Sequence, residues 1–256
     1  MRSISLIPLL SLVGACVLGE TRTVPAYQAV DNYTDAKVML SASDTSGSPT
    51  SVRVNCLGGQ DGKILLEGDE SQILLGGNVR STLVIKAEDG FDASGCEIGV
   101  PSMNIDTITV RGDGDLESDD VFSALTALDL RGNGTAQLAE IDADALDLSV
   151  SGDGDVNVDA LHVGSVDFEL GGNGTTTVAG DASEATLDMT GNAIFKGADF
   201  AIDTLTADVS GNATAIVDVT GAASIAVSGT ASVIVDGGGS VKQDVSGDGS
   251  VSIASD

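Results

Sequence analysis

Apolar and polar positions alternate along the second half of the chain in a pattern that recurs about every twenty residues. Each copy contains a glycine that is followed by Asp, Asn or Thr, and successive copies are 20, 20, 20, 19, 20, 18 and 18 residues apart. The eight anchor glycines are Gly112, Gly132, Gly152, Gly172, Gly191, Gly211, Gly229 and Gly247. Such regular spacing predicts a stack of similar structural units.

The residues before each anchor glycine alternate as they do in a half-buried strand. The position two residues before the anchor is apolar in all eight copies, and the position four before it is apolar except at Gln243. The position between them is polar except at Ala226. Alternation resumes after the anchor, for example at Val156 and Val158. Each copy is therefore predicted to contain a strand, a tight turn, a second strand and a return corner.

A single unit of this size cannot maintain its own fold. About five inward side chains contribute roughly 1.5 to 3 kcal/mol each on burial, whereas ordering the backbone costs roughly 1 to 2 kcal/mol per residue. Stacked neighbours supply the missing contacts and the hydrogen bonds between layers. The sequence therefore predicts an all-β fold, a right-handed parallel β-helix (β-solenoid) with coils of about 20 residues.

Glycine occupies the anchor position in every copy, whereas the residue two positions later is alanine at Ala193, Ala213 and Ala231. This difference predicts that the anchor needs a positive φ or the close approach of another backbone. It also predicts that the later position tolerates a Cβ atom, so that Gly154→Ala would have a mild effect on stability.

The first residues have the pattern of an export signal. Arg2 precedes an apolar stretch of about ten residues, which is too short to cross a bilayer as a helix. Residues 1–15 are predicted to be a signal peptide of the lipoprotein type, because Leu12-Val-Gly-Ala-Cys16 resembles a lipobox. Cys16 would then carry a lipid that anchors the protein to the bacterial cell envelope, at the outer membrane. The alternative is an ordinary signal peptide cleaved a few residues later, which leaves the protein periplasmic or secreted.

Three further segments follow the signal peptide. Residues 16–36 lack periodicity and are predicted to form a tether. Residues 37–103 contain strand-like runs and are predicted to form irregular β coils that cap the stack, and residues 104–256 form the regular repeats. No capping element is evident after the last repeat, so exposed strand edges there favour a homo-oligomer.

The irregular coils contain two cysteines, Cys56 and Cys96. They remain as a pair if Cys16 is lipidated or removed. We predict a disulfide between them, and two buried free thiols are the alternative.

The net charge of the chain limits which classes of partner it can bind. The chain has 39 acidic and 11 basic residues and a formal net charge of −28, which would repel nucleic acid and anionic membranes. Contact with a membrane is therefore expected only through the lipid anchor. Tryptophan is absent, and Phe and Tyr number only 5 and 2, so the core is expected to consist of Val, Leu, Ile and Ala.

The acidic turns suggest calcium binding as one interpretation. Aspartate pairs occur on alternate coils, at Asp113, Asp115, Asp153 and Asp155. The coils between them carry Asn and Thr, so the carboxylate layers would lie about 10 Å apart, too far for one cation to be shared. We interpret the alternation as relief of like-charge repulsion. No metal and no cofactor are expected, and these aspartates are weak candidates for calcium.

Candidate catalytic groups are sparse. The single histidine, His162, has no nucleophile or metal partner at a meaningful spacing, which indicates a solvated or capping residue. Arg111 and Arg131 occupy the same place in adjacent coils, and we interpret them as local charge balance beside the aspartates. The chain is therefore expected not to be an enzyme.

The repeats resemble a known family. The segment Val-Ser-Gly-Asp-Gly-Asp-Val-Asn-Val at 150–158, its relatives at 110, 130, 209, 227 and 245, and the run that begins at Thr82 are similar to the GIN-domain family of auto-transporter adhesin heads. The resemblance spans roughly residues 37–256. It implies a right-handed parallel β-helix, export to the cell envelope and no established activity, and it supplies no binding residue.

Together these features favour a non-catalytic module of the cell envelope. Such a module would be an adhesin or structural domain that presents a polar sheet face to a surface protein or a glycan. The alternative is a polysaccharide-active enzyme or a calcium-dependent carbohydrate-binding β-helix protein. No motif in the sequence identifies the partner.

Overall fold

The computed structural model describes residues 19–24, 26–41, 51–73, 79–101 and 104–254. About 70% of the chain is strand. The described residues contain no α-helix and therefore no helix able to span a membrane. The strands form a β-solenoid of about seven turns whose coils are about 20 residues apart, which confirms the predicted fold. The predicted signal peptide and Cys16 lie outside the described residues.

Eighteen strands and one short 3-10 turn, Asp61–Lys63, make up the regular structure of the described residues. The strands before the repeats are β1 (Glu20–Thr23), β2 (Ala29–Asn32), β3 (Lys37–Ser41), β4 (Ser51–Cys56), β5 (Ile64–Ile73), β6 (Val79–Ala87) and β7 (Cys96–Pro101). The strands of the repeats are β8 (Thr107–Val110), β9 (Leu116–Phe122), β10 (Ala127–Leu130), β11 (Thr135–Gly152), β12 (Asp155–Gly172), β13 (Thr175–Met189), β14 (Ile194–Val209), β15 (Thr214–Val227), β16 (Ser232–Asp236), β17 (Ser240–Val245) and β18 (Ser250–Ile253).

The strands form one continuous 18-stranded sheet that wraps around the core, and its two parts, joined at the return corners, are called sheet A and sheet B. Sheet A contains, in spatial order, β5, β6, β2, β8, β10, the second halves of β11 to β15, and β17. Sheet B contains β1, β4, β7, β3, β9, the first halves of β11 to β15, β16 and β18. Each long strand from β11 to β15 bends around the return corner and so contributes to both sheets.

The inward rows predicted from the sequence form a continuous core. Leu128 pairs with Ile108 in the layer before it and with Leu148 in the layer after it, and all three side chains are buried. Phe168 contacts Phe195 of the next coil edge to face, with ring centroids 5.0 Å apart. Each layer therefore covers the apolar side chains of its neighbours.

The first coil in the sequence is not the first coil in the stack. β2 pairs in parallel with both β6 and β8, and β3 pairs in parallel with both β7 and β9. Residues 29–41 therefore form a layer inserted between β6–β7 and the first regular coil. The predicted tether at residues 16–36 is wrong for this segment, because Ala29, Val30 and Asn32 are buried within that layer.

The turn of the inserted coil uses buried polar side chains where the regular coils use an anchor glycine. Asn32 Oδ1 accepts hydrogen bonds from the backbone N–H and the hydroxyl of Thr34, at 3.0 and 2.7 Å. The Thr34 hydroxyl oxygen accepts a bond from the Ala36 N–H at 3.1 Å. These local bonds satisfy the polar groups of the turn, so the coil closes without glycine.

Antiparallel strands close the end of the stack beyond β6 and β7. β5 pairs with β6, β4 with β7, and β1 with β4. Cys56 and Cys96 lie directly opposite each other on β4 and β7 and form a disulfide, which confirms the predicted pairing; their Cα atoms are 4.0 Å apart. The Arg22 guanidinium donates to the carbonyl oxygens of Ile64 and Asp61 and so connects β1 with the start of β5.

The anchor glycines lie in one file along the stack. The backbone N–H after one anchor donates to the carbonyl of the preceding anchor, as from Asn192 to Gly172 and from Asn212 to Gly191, both at 2.8 Å. A Cβ atom on Gly172 would lie 2.0 Å from the carbonyl oxygen of Gly152. From Gly152 onward every anchor also has a positive φ. The anchor position therefore needs glycine for both reasons that the sequence suggested.

The glycines two residues after the early anchors are more constrained than the sequence predicted. A Cβ atom on Gly154 would lie 2.5 Å from the carbonyl oxygen of Gly134 and 2.8 Å from Leu130 Cδ2. The alanines at this position in later coils are Ala193, Ala213 and Ala231, and all three are buried. The anchors of these later turns have φ values of 76 to 83°, whereas φ of Gly152 is 143°, so the two kinds of turn differ. The expectation that position 154 tolerates a Cβ atom is therefore wrong.

We predict that Gly154→Ala lowers the free energy of unfolding by about 1 to 3 kcal/mol, because the added methyl group overlaps the neighbouring layer. Urea denaturation of the variant and the wild-type chain measures the difference. Gly238→Ala is the matched control, since a Cβ atom there meets no atom within 4 Å. The control should change stability by less than about 0.5 kcal/mol, and equal effects at the two positions would contradict the close contact at Gly154.

Candidate binding surface

The turns carry a ladder of polar side chains along one edge of the stack. The row consists of Asp113, Asn133, Asp153, Asn173, Asn192, Asn212, Thr230 and Asp248. The Asn133 amide donates to Asp113 Oδ1 at 2.6 Å, and the Asn173 amide donates to Asp153 in the same way. Asn192 in turn donates to Asn173 Oδ1 at 2.6 Å. Because Asp and Asn alternate, each of these aspartates has an amide hydrogen-bond donor on the neighbouring coil. A second carboxylate at that position would repel it.

A second ladder beside the first holds the other two aspartates that the sequence offered for calcium. Thr135 donates its N–H and its hydroxyl to Asp115 Oδ1, at 2.9 and 2.7 Å. The Thr175 N–H donates to Asp155 Oδ1 at 2.7 Å. Within the described parts of the chain, no group of three or more His, Cys, Asp or Glu side chains could hold a metal ion. The structure therefore uses these aspartates in contacts between coils.

The two arginines of the repeats pair with carboxylates. Arg111 Nε donates to Asp31 Oδ1 at 2.8 Å, and its guanidinium lies 5.1 Å from the ring centre of Tyr33. Arg131 pairs with Asp129 at 2.5 Å. The hydrogen bond to Asp31 raises the pKa of Arg111, and the one to Asp129 raises the pKa of Arg131. Both contacts agree with the interpretation of local charge balance.

His162 lies on the return corner and contacts the next coil. Its Nδ1 is 2.6 Å from Asp181 Oδ1, a partner that only the coil register identifies. The side chains are 46% and 64% exposed. The pair is therefore a solvated contact between two layers.

The outer surface of sheet A is acidic. The register of its strands places the following carboxylates in two adjacent outward rows: Asp129, Asp147, Asp167, Glu169, Asp188, Asp208 and Asp244. This surface would repel an acidic partner.

The central part of sheet B carries a mainly uncharged polar surface, whose charged side chains are Asp155, Lys196 and Asp159, which accepts a hydrogen bond from Asn157. A shallow groove of about 360 Å³ crosses β11 to β14. The outward side chains that line it are Thr135, Gln137, Asp155, Asn157, Thr175, Thr177 and Lys196. These residues define the sheet B groove. Its one carboxylate, Asp155, already accepts the hydrogen bond from Thr175.

The register aligns the side chains of the sheet B groove across the strands. Gln137 lies beside Asn157, Asn157 beside Thr177, and Thr177 beside Lys196. Since neighbouring strands are about 4.8 Å apart, amide, hydroxyl and ammonium groups follow one another at that interval. Lys196 is exposed and forms no ion pair with any residue that the structure describes. Ile216 continues the row as an apolar neighbour.

Of the residues that line the groove, only Asp155 was a candidate from the sequence, and it was a candidate for calcium rather than for this groove. Gln137, Asn157, Thr177 and Lys196 each lie five residues after an anchor glycine, on the outward side of the second strand. Aligning the repeats at this position shows three uncharged polar residues, Gln137, Asn157 and Thr177, between Glu117 and Lys196. The row was missed because the aspartates of the turns give the stronger signal in an acidic chain.

Comparison with known proteins identifies the family. The sequence model of the family described as "Putative auto-transporter adhesin, head GIN domain" matches residues 47–239, about three quarters of the chain. The chain belongs to the GIN-domain family. The resemblance read from the turns is thereby confirmed. A search of curated proteins found no match to this GIN-domain chain.

Solved structures share the fold of this GIN domain. A putative adhesin from Parabacteroides merdae ATCC 43184 superposes with a TM-score of 0.75 and 15% identity, over 92% of this chain and 95% of that one. A putative lipid binding protein from Parabacteroides distasonis ATCC 8503 gives 0.77 and 17%, over 94% and 98%. A putative adhesin from the same strain gives 0.73 and 19%, over 92% and 96%. At these identities the similarity shows the fold alone.

We predict that Asn173→Asp destabilises the fold by about 1 to 3 kcal/mol at pH 7, because it removes the donor to Asp153 and stacks two carboxylates. Mutual repulsion raises the pKa of the carboxylate pair above the usual value of about 4. The destabilisation is therefore present at neutral pH and disappears as the pH falls through that raised pKa. Thermal unfolding at several pH values measures it.

The matched control for this prediction is Asn212→Asp. The Asn212 Oδ1 atom accepts a hydrogen bond from the Thr230 hydroxyl at 3.0 Å, and a carboxylate oxygen can take the same role. We expect a smaller loss of stability for this variant. A loss at Asn173 that is equally large at pH 3 and pH 7 would contradict the repulsion between stacked carboxylates.

Proposed function

We propose that this GIN domain is a non-catalytic binding module of the bacterial cell surface and that the sheet B groove binds a glycan. The observation that carries the proposal is an aligned, nearly uncharged row of polar side chains in a protein whose net charge is −28. Membership of a family described as adhesin heads supports the binding role.

The distribution of charge supports sheet B as the binding face. The outward rows of sheet A carry carboxylates on most layers. Gln137, Asn157 and Thr177 place amide and hydroxyl groups on three successive layers of sheet B. Amides and hydroxyls both donate and accept hydrogen bonds, as the hydroxyl groups of a sugar do. Their regular interval suits a polymer that repeats its own polar groups.

Lys196 gives the groove a preference for negatively charged ligands. Its exposed ammonium group stands at the end of the polar row and has no carboxylate partner among the described residues. A charge-assisted hydrogen bond to an acidic substituent would be stronger than the neutral bonds of the rest of the row. We therefore expect an acidic glycan, such as one that contains a uronic acid.

We propose a location outside the cytoplasm, with a lipid anchor on Cys16. The disulfide between Cys56 and Cys96 supports an oxidising compartment, since disulfides persist there and are rare in the bacterial cytoplasm. Two of the structural neighbours are named putative adhesins, and the third a putative lipid binding protein. These names agree with a protein of the cell envelope.

We predict that the wild-type chain binds acidic members of a glycan array and that Lys196→Ala weakens this binding about tenfold or more. A hydrogen bond to a charged group contributes roughly 1.5 to 3 kcal/mol. Lys86→Ala is the matched control, because Lys86 is an exposed lysine of β6 that pairs with Glu67. Its binding should equal that of the wild-type chain.

The same array distinguishes the alternatives. Binding that disappears in EDTA would favour a calcium-dependent site over the groove proposed here. Equal binding by the wild-type chain and Lys196→Ala, or no binding to any glycan, would contradict the proposal.

We predict that Cys16→Ser prevents lipid attachment. Expressed in a bacterial host with a labelled fatty acid, the wild-type chain should carry the label and sediment with membranes. The variant should lack the label and move to the soluble fraction, because a protein that loses its acyl chains loses the apolar surface that holds it to a bilayer. A labelled Cys16→Ser protein would show that the lipid is attached elsewhere.

A further inference from the structure

The last coil of the stack exposes side chains that point inward. In the layer before it, Ile225 and Val235 are 2% and 1% exposed. In the last coil, Val245 is 40% exposed and Ile253 is 55% exposed. An inward side chain of this fold is normally covered by a layer on each side, and among the described residues the last coil has a neighbour on one side only.

The strands of the last coil also have free edges. In the part of the chain that the structure describes, β17 pairs only with β15, and β18 pairs only with β16. A free edge exposes unpaired N–H and C=O groups that can pair with another strand. The opposite end of the stack is closed instead by antiparallel strands, a disulfide and Arg22. Among the described residues, β1 and β5 at that end also pair on one side only, but the end with β17 and β18 is the one where a regular parallel layer is left uncovered.

The side chains of β17 are complementary to a second copy of the same strand. In an antiparallel pair, residues directly opposite each other lie on the same side of the sheet. With Gln243 opposite Gln243 of a second copy, Lys242 lies opposite Asp244, and Val241 lies opposite Val245. Both charges of the strand are then paired, and the apolar residues face each other.

Neighbouring registers lack this complementarity. If Lys242 lies opposite Lys242 of the second copy, two ammonium groups face each other. If Asp244 lies opposite Asp244, two carboxylates face each other. Like charges directly opposite one another are destabilising in a sheet. The charge pattern therefore selects the register centred on Gln243.

We propose that two copies of this chain associate end to end through their last coils, with each β17 antiparallel to β17 of the other copy about a two-fold axis. Such an isologous contact closes after two copies. The same axis brings β18 beside β18 of the other copy, where Val251 and Ile253 are the inward side chains. The contact covers the exposed apolar residues and continues both sheets through the dimer.

The test measures dimerisation of the full chain by analytical ultracentrifugation at physiological salt. All proteins carry Cys16→Ser, so that a lipid cannot drive association. Lys242→Asp places a carboxylate opposite Asp244 at two symmetric positions and should raise the dissociation constant of the dimer about tenfold. Asp244→Lys should do the same with two ammonium groups. The double variant, Lys242→Asp with Asp244→Lys, restores both opposite-charge pairs and should return to within about threefold of the wild-type value.

A second measurement locates the two-fold axis. Gln243→Cys should form a disulfide between copies under mild oxidation, because directly opposite residues of an antiparallel pair have Cα atoms about 4.5 to 5.5 Å apart. Thr186→Cys, on an outward row of β13 and distant from the free edge, should not. A monomeric wild-type chain, open-ended polymers, or a double variant as weak as the single ones would overturn the proposal.

Discussion

Backbone atoms of successive turns meet in the file of anchor glycines, and the regular part of the stack depends on that contact. The carbonyl oxygen of Gly152 occupies the space that a Cβ atom on Gly172 would need. Layers can therefore approach to one strand spacing, which is the distance at which the ladder hydrogen bonds form and the inward side chains touch. A bulkier residue at a turn would separate two layers along their whole length. Local sterics at one position thus control both the hydrogen bonding and the core.

The repeat part of this architecture was predictable because its contacts join equivalent positions of neighbouring coils. Spacing alone located the inward rows at Ile108, Leu128 and Leu148, and the cysteine count located the disulfide. The inserted coil was not predictable in the same way. Asn32 and Thr34 close its turn with side-chain bonds, so it has no glycine signal, and β2 pairs with strands more than fifty residues later. The alanines of the later turns led to the wrong prediction that position 154 tolerates a Cβ atom, because those turns have a different backbone geometry.

An acidic solenoid must place many carboxylates on layers that are one strand spacing apart. Two devices reduce the resulting repulsion in this chain. In the turns, amides and hydroxyls alternate with aspartates and donate to them, as Asn133 does to Asp113. On the sheets, two outward rows of sheet A carry carboxylates on most layers, whereas the sheet B groove contains one carboxylate, Asp155. The candidate binding surface was harder to predict than the fold, because it is recognised by the absence of carboxylates from its central row and not by a sequence motif.

The inserted position of β2 and β3 also constrains how the molecule assembles. This coil is the first to emerge during synthesis, yet its neighbours on both sides are encoded later, at residues 82–101 and 107–118. The early strand β2 therefore has no partner strand until about fifty further residues have been made, and its second neighbour follows more than seventy residues after it. Once in place, it is the only layer among the described residues that pairs with both the disulfide-bonded end and the regular coils. The disulfide-bonded end and the regular coils can therefore fold as one cooperative unit only after residues 29–41 have docked between them. Those thirteen residues link the folding of the two parts.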